Sequence, residues 1–251
     1  MEVSDDSGTT YNFPCTQVTG DVGADVSIGT NKHIVWSFGR EHSGVVGNNF
    51  RIKIIADDLY GDQIYYAGKI YNTVIIGTQT WFKENLDIGT MIQSTTSGFE
   101  QTDNSIIEKY CYDNDLSNCE VYGGLYEWTE AMQYVTTEGT QGICPSGWHI
   151  PTYTEYQTIN SYVNNQAVKL IDESQTMSGY VPTNETGFSA LFAGYRYNYN
   201  GSFYDLSHRT FFWSSTNGSS AYFIHLYYNQ SYVTFGNDRK YYGFSIRCLK
   251  D

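Results

Sequence analysis

The sequence is poor in proline, in charged residues and above all in positive charge. Four prolines and 16% charged residues, against 24 glycines and 17% aromatic residues, are typical of a folded protein rich in strands and loops rather than of a disordered chain. The 14 basic and 27 acidic side chains give a net charge of −13, so few groups are present that could neutralise phosphates. The composition therefore favours a globular protein with no nucleic-acid partner.

Long apolar runs are also missing. No run approaches the ~20 apolar residues that a transmembrane helix needs, so we expect no membrane span. The first residues, MEVSDDSGTTYNF, are acidic and polar and do not have the pattern of a signal peptide. With 251 residues, the chain is long enough for one large domain and one small one.

Cysteine spacing argues against the usual zinc motifs and predicts disulfides. The five cysteines form no CxxC pair and no paired Cys/His zinc motif. Cys111 and Cys119 bracket a short loop, while Cys144 precedes a predicted helix and Cys248 lies in the last predicted strand. We therefore predict Cys111–Cys119 and Cys144–Cys248 bonds, with Cys15 unpaired and with buried free thiols as the alternative. Two disulfides would indicate an extracellular, cell-surface or virion-surface location.

The chain changes character near residue 62. In residues 1–62, the segments IVWSF (34–38) and FRIKI (50–54) alternate apolar and polar side chains, as half-buried strands do. This pattern predicts a small β unit, too short for a complete sandwich, of the kind expected for the remnant of an immunoglobulin-like domain. A second domain is predicted over residues 65–251.

Helical signals occur at two places in the second domain. Leu125, Trp128 and Met132 have helical spacing within residues 125–134, and Thr152 and Glu155 form a capping box as N-cap and N3 residue of the second helix. Later segments, FFWSST, AYFIHLYY, QSYVTF and YGFSIRCL, are predicted strands separated by Asn, Gly and Asp turns. Two helices with a loop-rich antiparallel sheet define an α+β fold.

Several long motifs resemble one known family. TVIIGTQTWFKENL, YCYDNDLSNCEVYGGLYEWTEAM, GICPSGWHIPTYTEY, GFSALFAGYR, FFWSST and YGFSIRCLKD follow one another within residues 65–251. With them the chain resembles the Fibrobacter succinogenes major paralogous domain, while IVWSFGREHSG and RIKIIADD resemble a β domain often found ahead of it. Such domains are similar to the formylglycine-generating-enzyme branch of the C-type lectin-like fold. The resemblance implies that fold, with a ligand site on its loop-rich face.

The tail, residues 195–251, has a second resemblance, to the variable regions of proteins diversified by retroelements. It holds 10 of the 24 tyrosines, mixed with Ser, Asn and Gly as in evolved binding loops. Adenine mutation of asparagine codons cannot produce Lys, Gln, Glu, Met or Trp. After Glu185, Glu and Met are absent, Gln and Trp occur only at Gln230 and Trp213, and Lys only at positions 240 and 250. The resemblance implies a variable region over about 195–242 and a diversified receptor; a fixed adhesin or carbohydrate-binding protein is the alternative.

The candidate ligand-binding residues are those that interrupt the family-like scaffold in the tail. Strand alternation would turn about half of them inward as packing residues. Trp213, Gly243, Phe244, Arg247 and Cys248 match the scaffold and are expected to be structural. The candidates are Tyr197, Tyr199, Asp205, His208, Phe211, Tyr222, Ile224, His225, Tyr227, Tyr228, Tyr232, Thr234, Phe235, Asn237, Asp238 and Tyr241.

No catalytic residue is predicted. An oxidase like the formylglycine-generating enzyme needs two reactive cysteines, whereas the tail contains only Cys248, which the predicted disulfide occupies. His149 and Glu155 suit acid–base chemistry, but His149 lies in a scaffold motif and Glu155 in the capping box. We therefore expect a monomeric protein that is not an enzyme and binds a protein or glycan ligand.

A calcium site is the one metal hypothesis that the sequence offers, and otherwise no cofactor is expected. The oxygen ligands would come from the loop between Cys111 and Cys119. That loop lacks the acidic residue and the glycine spacing of an EF-hand, and the same residue types form ordinary turns. The loop residues concerned are Asp113, Asn114, Asp115 and Asn118.

Overall fold

The computed structural model describes residues 2–22, 31–53, 63–95 and 100–251. The chain divides into two compact units, Met1–Gly61 and Asp62–Asp251. Ile54, the last residue of a predicted strand, lies outside the described residues. Within the described ranges, no helix is both long and apolar enough to cross a membrane.

Short strands and one helical turn form the N-terminal unit. Its elements are β1 (Glu2–Ser4), β2 (Val18–Gly20), β3 (Ile34–Trp36), α1 (Phe38–Glu41) and β4 (Arg51–Lys53). β1 pairs with β4 and β2 with β3, both antiparallel. Phe50 packs edge-on against Phe13 and Phe38, with ring centroids 5.2 and 5.3 Å apart. Both predicted segments therefore contain a strand, but Phe38 begins a helical turn instead of extending its strand, and Ile52 is 56% exposed.

The C-terminal unit contains the remaining strands and helices. In its first half these are β5 (Gln63–Tyr66), β6 (Lys69–Ile76), β7 (Gln79–Phe82), β8 (Thr90–Met91), β9 (Glu108–Lys109), α2 (Leu116–Tyr122), α3 (Trp128–Ala131), β10 (Trp148–His149) and α4 (Tyr153–Tyr162). The second half adds β11 (Ala193–Arg196), β12 (Phe203–Leu206), β13 (Arg209–Asn217), β14 (Ala221–Tyr227), β15 (Thr234–Asp238) and β16 (Leu249–Lys250). Single 3-10 turns lie at Tyr112–Asn114, Ala167–Lys169 and Glu173–Gln175.

Two five-stranded sheets organise this unit. One has the strand order β10-β16-β7-β6-β5, and the other, here called the tail sheet, has the order β12-β11-β13-β14-β15. The strands of the tail sheet pair antiparallel except for β11 and β13, which meet in parallel. Few helices beside mainly antiparallel sheets confirm the predicted α+β class.

Apolar side chains cover both faces of the tail sheet. Phe211, Trp213 and Phe223 belong to one buried cluster, whereas their strand neighbours Phe212 and Ile224 belong to another. Successive residues of a strand point to opposite faces, so a sheet that is buried on both sides contains consecutive apolar residues. We call the two sides the Phe211 side and the Phe212 side.

The helix predictions were correct in different degrees. α4 begins where predicted: the Glu155 amide donates to Thr152 Oγ1 at 3.1 Å, and the Thr152 amide donates to the Glu155 carboxylate at 2.7 Å. The helix predicted over 125–134 is a single turn, because Gln133 and Tyr134 have left-handed φ values of 50° and 59°. α2 was not predicted; Asp115 caps it by accepting from the Ser117 amide at 2.9 Å.

The strand predictions for the tail were also partly correct. β13 and β14 contain most of FFWSST and AYFIHLYY, but only Thr234 and Phe235 of QSYVTF lie in β15. The last predicted strand is wrong over most of its length. Phe244, Ile246 and Cys248 do lie in one buried cluster, as their alternation predicts, while the buried Arg247 between them packs over Phe188 and Phe212 of the other cluster. However, this segment bonds to several elements; for example, the Phe244 amide donates to the Tyr126 carbonyl.

Both predicted disulfides are present. The Cα atoms are 5.1 Å apart in Cys111–Cys119 and 5.9 Å apart in Cys144–Cys248. The first bond joins the middle of α2 to the residue before a 3-10 turn, and the second ties the final segment to the chain just before β10. Cys15 is a free, half-buried thiol.

Candidate functional site

The candidate residues differ widely in exposure. Phe211 and Ile224 are only 7% and 1% exposed and lie in the two apolar clusters, so neither can belong to an exposed surface. Four candidates are exposed: Tyr199, His208, Tyr232 and Asn237. Ten are half-buried: Tyr197, Asp205, Tyr222, His225, Tyr227, Tyr228, Thr234, Phe235, Asp238 and Tyr241.

Strand register places several half-buried candidates on opposite sides of the tail sheet. His225 lies opposite Phe211 and Thr234, which puts it on the Phe211 side. Phe235 lies opposite Ile224 and therefore belongs to the Phe212 side with Tyr222. The candidate set is thus divided between two surfaces.

On the Phe211 side, five tyrosines form one connected group, here called the tyrosine face: Tyr195, Tyr197, Tyr199, Tyr204 and Tyr242. The Tyr195 ring centroid lies 5.9 Å from that of Tyr204 and 6.1 Å from that of Tyr242. The Tyr197 centroid lies 5.1 Å from that of Tyr199, 5.7 Å from that of Tyr204 and 5.6 Å from that of Tyr242. Tyr199 and Tyr204 are 51% and 40% exposed, so the group reaches the surface.

Three members of this face, Tyr195, Tyr204 and Tyr242, were missing from the predicted set. Tyr195 and Tyr242 lie within the family-like motifs GFSALFAGYR and YGFSIRCLKD, which the candidate residues interrupt. The spacing of Tyr195, Tyr197 and Tyr199 places them at every second residue, which could have shown that they share one side. Gly194 permits the close approach of β12: its φ is 66°, and a Cβ atom would lie 2.5 Å from the Tyr204 carbonyl oxygen.

Buried aromatic rings support the tyrosine face from below. The Tyr195 ring centroid is 5.0 Å from that of Phe211, which stacks on Phe244 at 4.6 Å. Phe244 in turn lies 4.2 Å from the Trp213 ring, and the Trp213 indole N–H donates to the Tyr126 carbonyl at 2.9 Å. Trp213 and Phe244 are buried, in keeping with their expected structural role.

A buried arginine fixes the segments that flank the tyrosine face. Arg196, at the end of β11, donates through Nε to Ser94 Oγ at 2.7 Å and through Nη2 to the Glu100 carboxylate at 2.7 Å. Its Nη1 donates to the Tyr241 carbonyl at 3.1 Å and lies 3.5 Å from the Glu127 carboxylate. Arg196 therefore holds the Tyr241 segment and the Ser94 loop in place beside Tyr195 and Tyr197.

Glu127 is the most perturbed carboxyl in this network. The Tyr110 hydroxyl and the Glu100 amide donate to its Oε1 at 2.7 and 3.0 Å, whereas Oε2 has no partner in the part of the chain that the structure describes. Burial raises the pKa of Glu127 to about 7, against the opposing effect of these bonds and of Arg196. Its charge therefore changes near neutral pH.

Next to the tyrosine face, Arg209 and His225 add polar groups to the Phe211 side. The Arg209 guanidinium lies over the Tyr227 ring at 4.3 Å and 3.5 Å from the Asp205 carboxylate. Burial, followed by the Arg209 charge, lowers the pKa of His225 to about 4. The His225 imidazole is therefore neutral at physiological pH and packs 5.1 Å from the Phe211 ring.

On the Phe212 side, the candidates contact α4 or each other. Tyr222 and Phe235 each lie 5.1 Å from the ring of Tyr153, the first residue of that helix. His208 lies 5.2 Å from the Tyr228 ring. These contacts join tail residues to the scaffold without forming a group comparable to the tyrosine face.

The residues considered for calcium and for acid–base chemistry have local structural contacts. Asn114 accepts from the Ser94 amide at 2.8 Å, Asn118 donates to the Tyr112 carbonyl at 2.9 Å, and Asp115 caps α2. Among the described residues, no group of three His, Cys, Asp or Glu side chains could hold a metal ion. His149 lies 3.1 Å from Glu155 and 2.7 Å from Asp251, and the Glu155 contact raises its pKa although burial opposes it.

A cleft of about 420 Å³ lies away from the tyrosine face. Lys69, Asp87 and Arg247 are among the residues that line it. Asp87 pairs with both Lys69 and Lys109, and the buried Arg247 donates to Asn85 and to backbone carbonyls. The charged groups named here are already engaged within the protein, so the cleft does not compete with the tyrosine face as a candidate site.

Comparisons with known proteins identify the family but not the ligand. No curated protein and no solved structure matches the chain. The family model described as the Fibrobacter succinogenes major domain matches residues 74–250, which is more than half of the chain. The chain therefore belongs to the Fibrobacter succinogenes major domain family.

Proposed function

We propose that this protein is a ligand-binding receptor that displays a recognition surface on a C-type lectin-like scaffold, with a tail diversified by a retroelement over about residues 195–242. The observation that carries the proposal is the tyrosine face: connected tyrosines reach the surface above rings that are buried. Tyrosine offers a large, rigid contact area with few torsions to restrict on binding. Such a surface binds a partner without needing catalytic groups.

The separation of surface from support favours diversification. The exposed Tyr199 packs on Tyr197 and the exposed Tyr204 on Tyr195 and Tyr197. Tyr195 in turn packs on Phe211 and Phe244, and Phe244 packs on Trp213. Changes in the outer layer leave the buried layer intact, which a scaffold that carries many sequences requires. The tail composition is consistent with adenine mutation, because Glu and Met are absent after residue 185.

The disulfides bear on location and on the enzyme alternative. Two bonds favour an extracellular, cell-surface or virion-surface protein. Because Cys248 is bonded to Cys144, it cannot serve as one of the two reactive cysteines of a formylglycine-generating oxidase. The disulfides support a binding protein rather than an oxidase, and we propose that it acts as a monomer on a protein or glycan ligand.

The gene tests the diversification directly. We expect a template repeat near the gene, beside a reverse-transcriptase gene, that matches the coding sequence of about residues 195–242 and differs from it only at template adenines. Mismatches at all four template bases, or the lack of any repeat, would contradict diversification. A fixed adhesin or carbohydrate-binding protein would then be the better account, and binding to immobilised glycans that is lost in Tyr199→Ala would support it.

A further inference from the structure

Arg239 occupies an unusual position at the edge of the tyrosine face. Its guanidinium carbon lies 5.1 Å from the centroid of the exposed Tyr199 ring. The side chain is exposed and, among the described residues, forms no ion pair with a carboxylate; Asp238 accepts only from its backbone amide, at 2.7 Å. A guanidinium that stacks on an aromatic ring keeps its planar set of donors available for a carboxylate.

The other arginines around this surface are already paired. Arg196 is buried and contacts Glu100 and Glu127, and Arg209 lies 3.5 Å from Asp205. In this part of the tail, Arg239 therefore differs from Arg196 and Arg209: its guanidinium stacks on the exposed Tyr199 ring and faces solvent. Arginine and tyrosine are, with tryptophan, the residue types enriched at energetically dominant positions of protein interfaces.

We infer that the tyrosine face binds a protein segment that pairs a carboxylate side chain with Arg239, at the edge of the tyrosine rings beside Tyr199. This inference rests on the proposed binding function and specifies the partner. The whole chain carries −13, so a generally acidic partner would be repelled at long range. The fitting partner is an exposed loop with an isolated Asp or Glu among uncharged residues, recognised at short range.

The ring orientations favour a protein loop over a sugar. A sugar ring stacks on an open, flat aromatic face. Here the Tyr195 and Tyr197 planes meet at 84° and the Tyr197 and Tyr204 planes at 87°, so the rings share no plane. Arg239 also covers one face of Tyr199. Rings packed at such angles present edges and faces together, and this uneven surface suits the side chains of an irregular peptide.

The test uses the full chain and a phage-displayed library of random 12-residue peptides as the probe. Selected peptides should share an Asp or Glu, and their Kd should rise at least about tenfold with Arg239→Gln. Replacing the shared acid by Asn or Gln should weaken binding to the unmodified protein but not further weaken binding to the Arg239→Gln variant. Arg40→Gln removes an exposed arginine of α1 and should leave Kd unchanged.

The possible outcomes distinguish failure of the carboxylate inference from failure of the proposed binding function. Peptides that lack an acid, or whose binding depends on Tyr199 but not on Arg239, would overturn the carboxylate inference and leave the binding function standing. Glycan-array binding with the same dependence would overturn it in favour of a carbohydrate ligand. If neither Tyr199→Ala nor Arg239→Gln affects any selected peptide, or if the library yields no binder, both the inference and the tyrosine face as binding surface are contradicted.

Discussion

Trp213 and Phe244 pack ring against ring beneath the tyrosine face, with centroids 4.2 Å apart. Trp213 belongs to β13, whereas Phe244 belongs to the irregular final segment that also bonds to Tyr126. This contact joins the tail sheet to the end of the chain. The buried rings below the tyrosine face and the exposed residues above them should differ in their tolerance of substitution.

Replacing Trp213 or Phe244 by Ala should lower the free energy of unfolding by ~3–5 kcal/mol, because each change leaves a cavity in a buried cluster. Replacing Tyr197, His208, Tyr228, Phe235 and Asn237 together by small or polar residues should instead leave the domain folded. Isolated surface changes usually cost within ~0.5 kcal/mol. Thermal melts of the three variants make the comparison.

A variant with only His208 and Asn237 replaced is the control, since both side chains are exposed while Tyr197, Tyr228 and Phe235 are half-buried. It should melt with the unmodified protein. If the five-residue variant unfolds as readily as Trp213→Ala while this control does not, the half-buried three are core residues. The recognition-surface hypothesis would then have to exclude them.

Glu127 should make stability depend on pH. Its folded pKa of about 7 exceeds the unfolded value of 4.5, so the folded state binds the proton more tightly. The resulting stabilisation is present below pH 4.5 and is lost as pH rises through about 7, a difference of about 3 kcal/mol. The side chain introduced by Glu127→Gln cannot titrate. This variant should therefore lower the free energy of unfolding, relative to the unmodified protein, by more at pH 5 than at pH 8.

Urea denaturation of both proteins at the two pH values measures this difference. The control is Tyr134→Phe, which removes the hydroxyl that donates to Glu130 at 2.6 Å. It perturbs a nearby buried carboxyl and leaves Glu127 unaltered. An equal cost of Glu127→Gln at both pH values would show that Glu127 does not titrate in this range.

Local signals in the sequence predicted the elements that local contacts determine. The Thr152 and Glu155 capping box is satisfied within one turn, so α4 begins where the pattern indicated. The predicted helix over 125–134 fails because distant residues determine its ends: the Trp128 amide donates to the Lys240 carbonyl, and the chain turns at Gln133. A helical apolar pattern carries no information about such distant partners.

The candidate site was predictable in composition but not in arrangement. The tail was identified as tyrosine-rich, yet the candidate set mixed residues of both sides of the tail sheet. The division follows from register, such as Ile224 opposite Phe235, which no single-strand pattern specifies. Tyr242 joins Tyr195 only because the Arg196 and Gly243 backbones bond to each other, a long-range contact invisible in the sequence.

The two disulfides should contribute unequally to stability. Cys144–Cys248 spans 104 residues and Cys111–Cys119 spans 8. In the chain-entropy account, the longer loop is worth ~4–5 kcal/mol and the shorter one ~2–3 kcal/mol. Denaturant titrations of the Cys144→Ser/Cys248→Ser and Cys111→Ser/Cys119→Ser proteins should therefore rank the first as the less stable.

Cys15→Ser is the control, because this thiol is free in the structure. It should leave the free energy of unfolding within ~0.5 kcal/mol of that of the unmodified protein. The reverse ranking of the two double variants would mean that local packing at Cys111 and Cys119, rather than loop closure, dominates their contribution.

His149 should make the free energy of unfolding fall as pH rises, in the same direction as Glu127. The Glu155 hydrogen bond raises the pKa of His149 above 6.5, with a further contribution from Asp251 and against burial. A raised histidine pKa gives stabilisation that is complete below pH 6.5 and is lost as pH rises through the folded pKa. The imidazolium then no longer links α4 to the end of the chain.

We therefore expect Glu155→Gln to lower the NMR titration midpoint of His149, because it removes the carboxylate 3.1 Å from Nε2. Thr152→Ser keeps both the hydroxyl N-cap of α4 and the Glu155 charge, so it is the control for substitution in this turn and should leave that midpoint unchanged. His149→Gln should cost more stability at pH 6 than at pH 9. An unchanged midpoint in Glu155→Gln would mean that Asp251, 2.7 Å from Nδ1, supplies the stabilising charge instead.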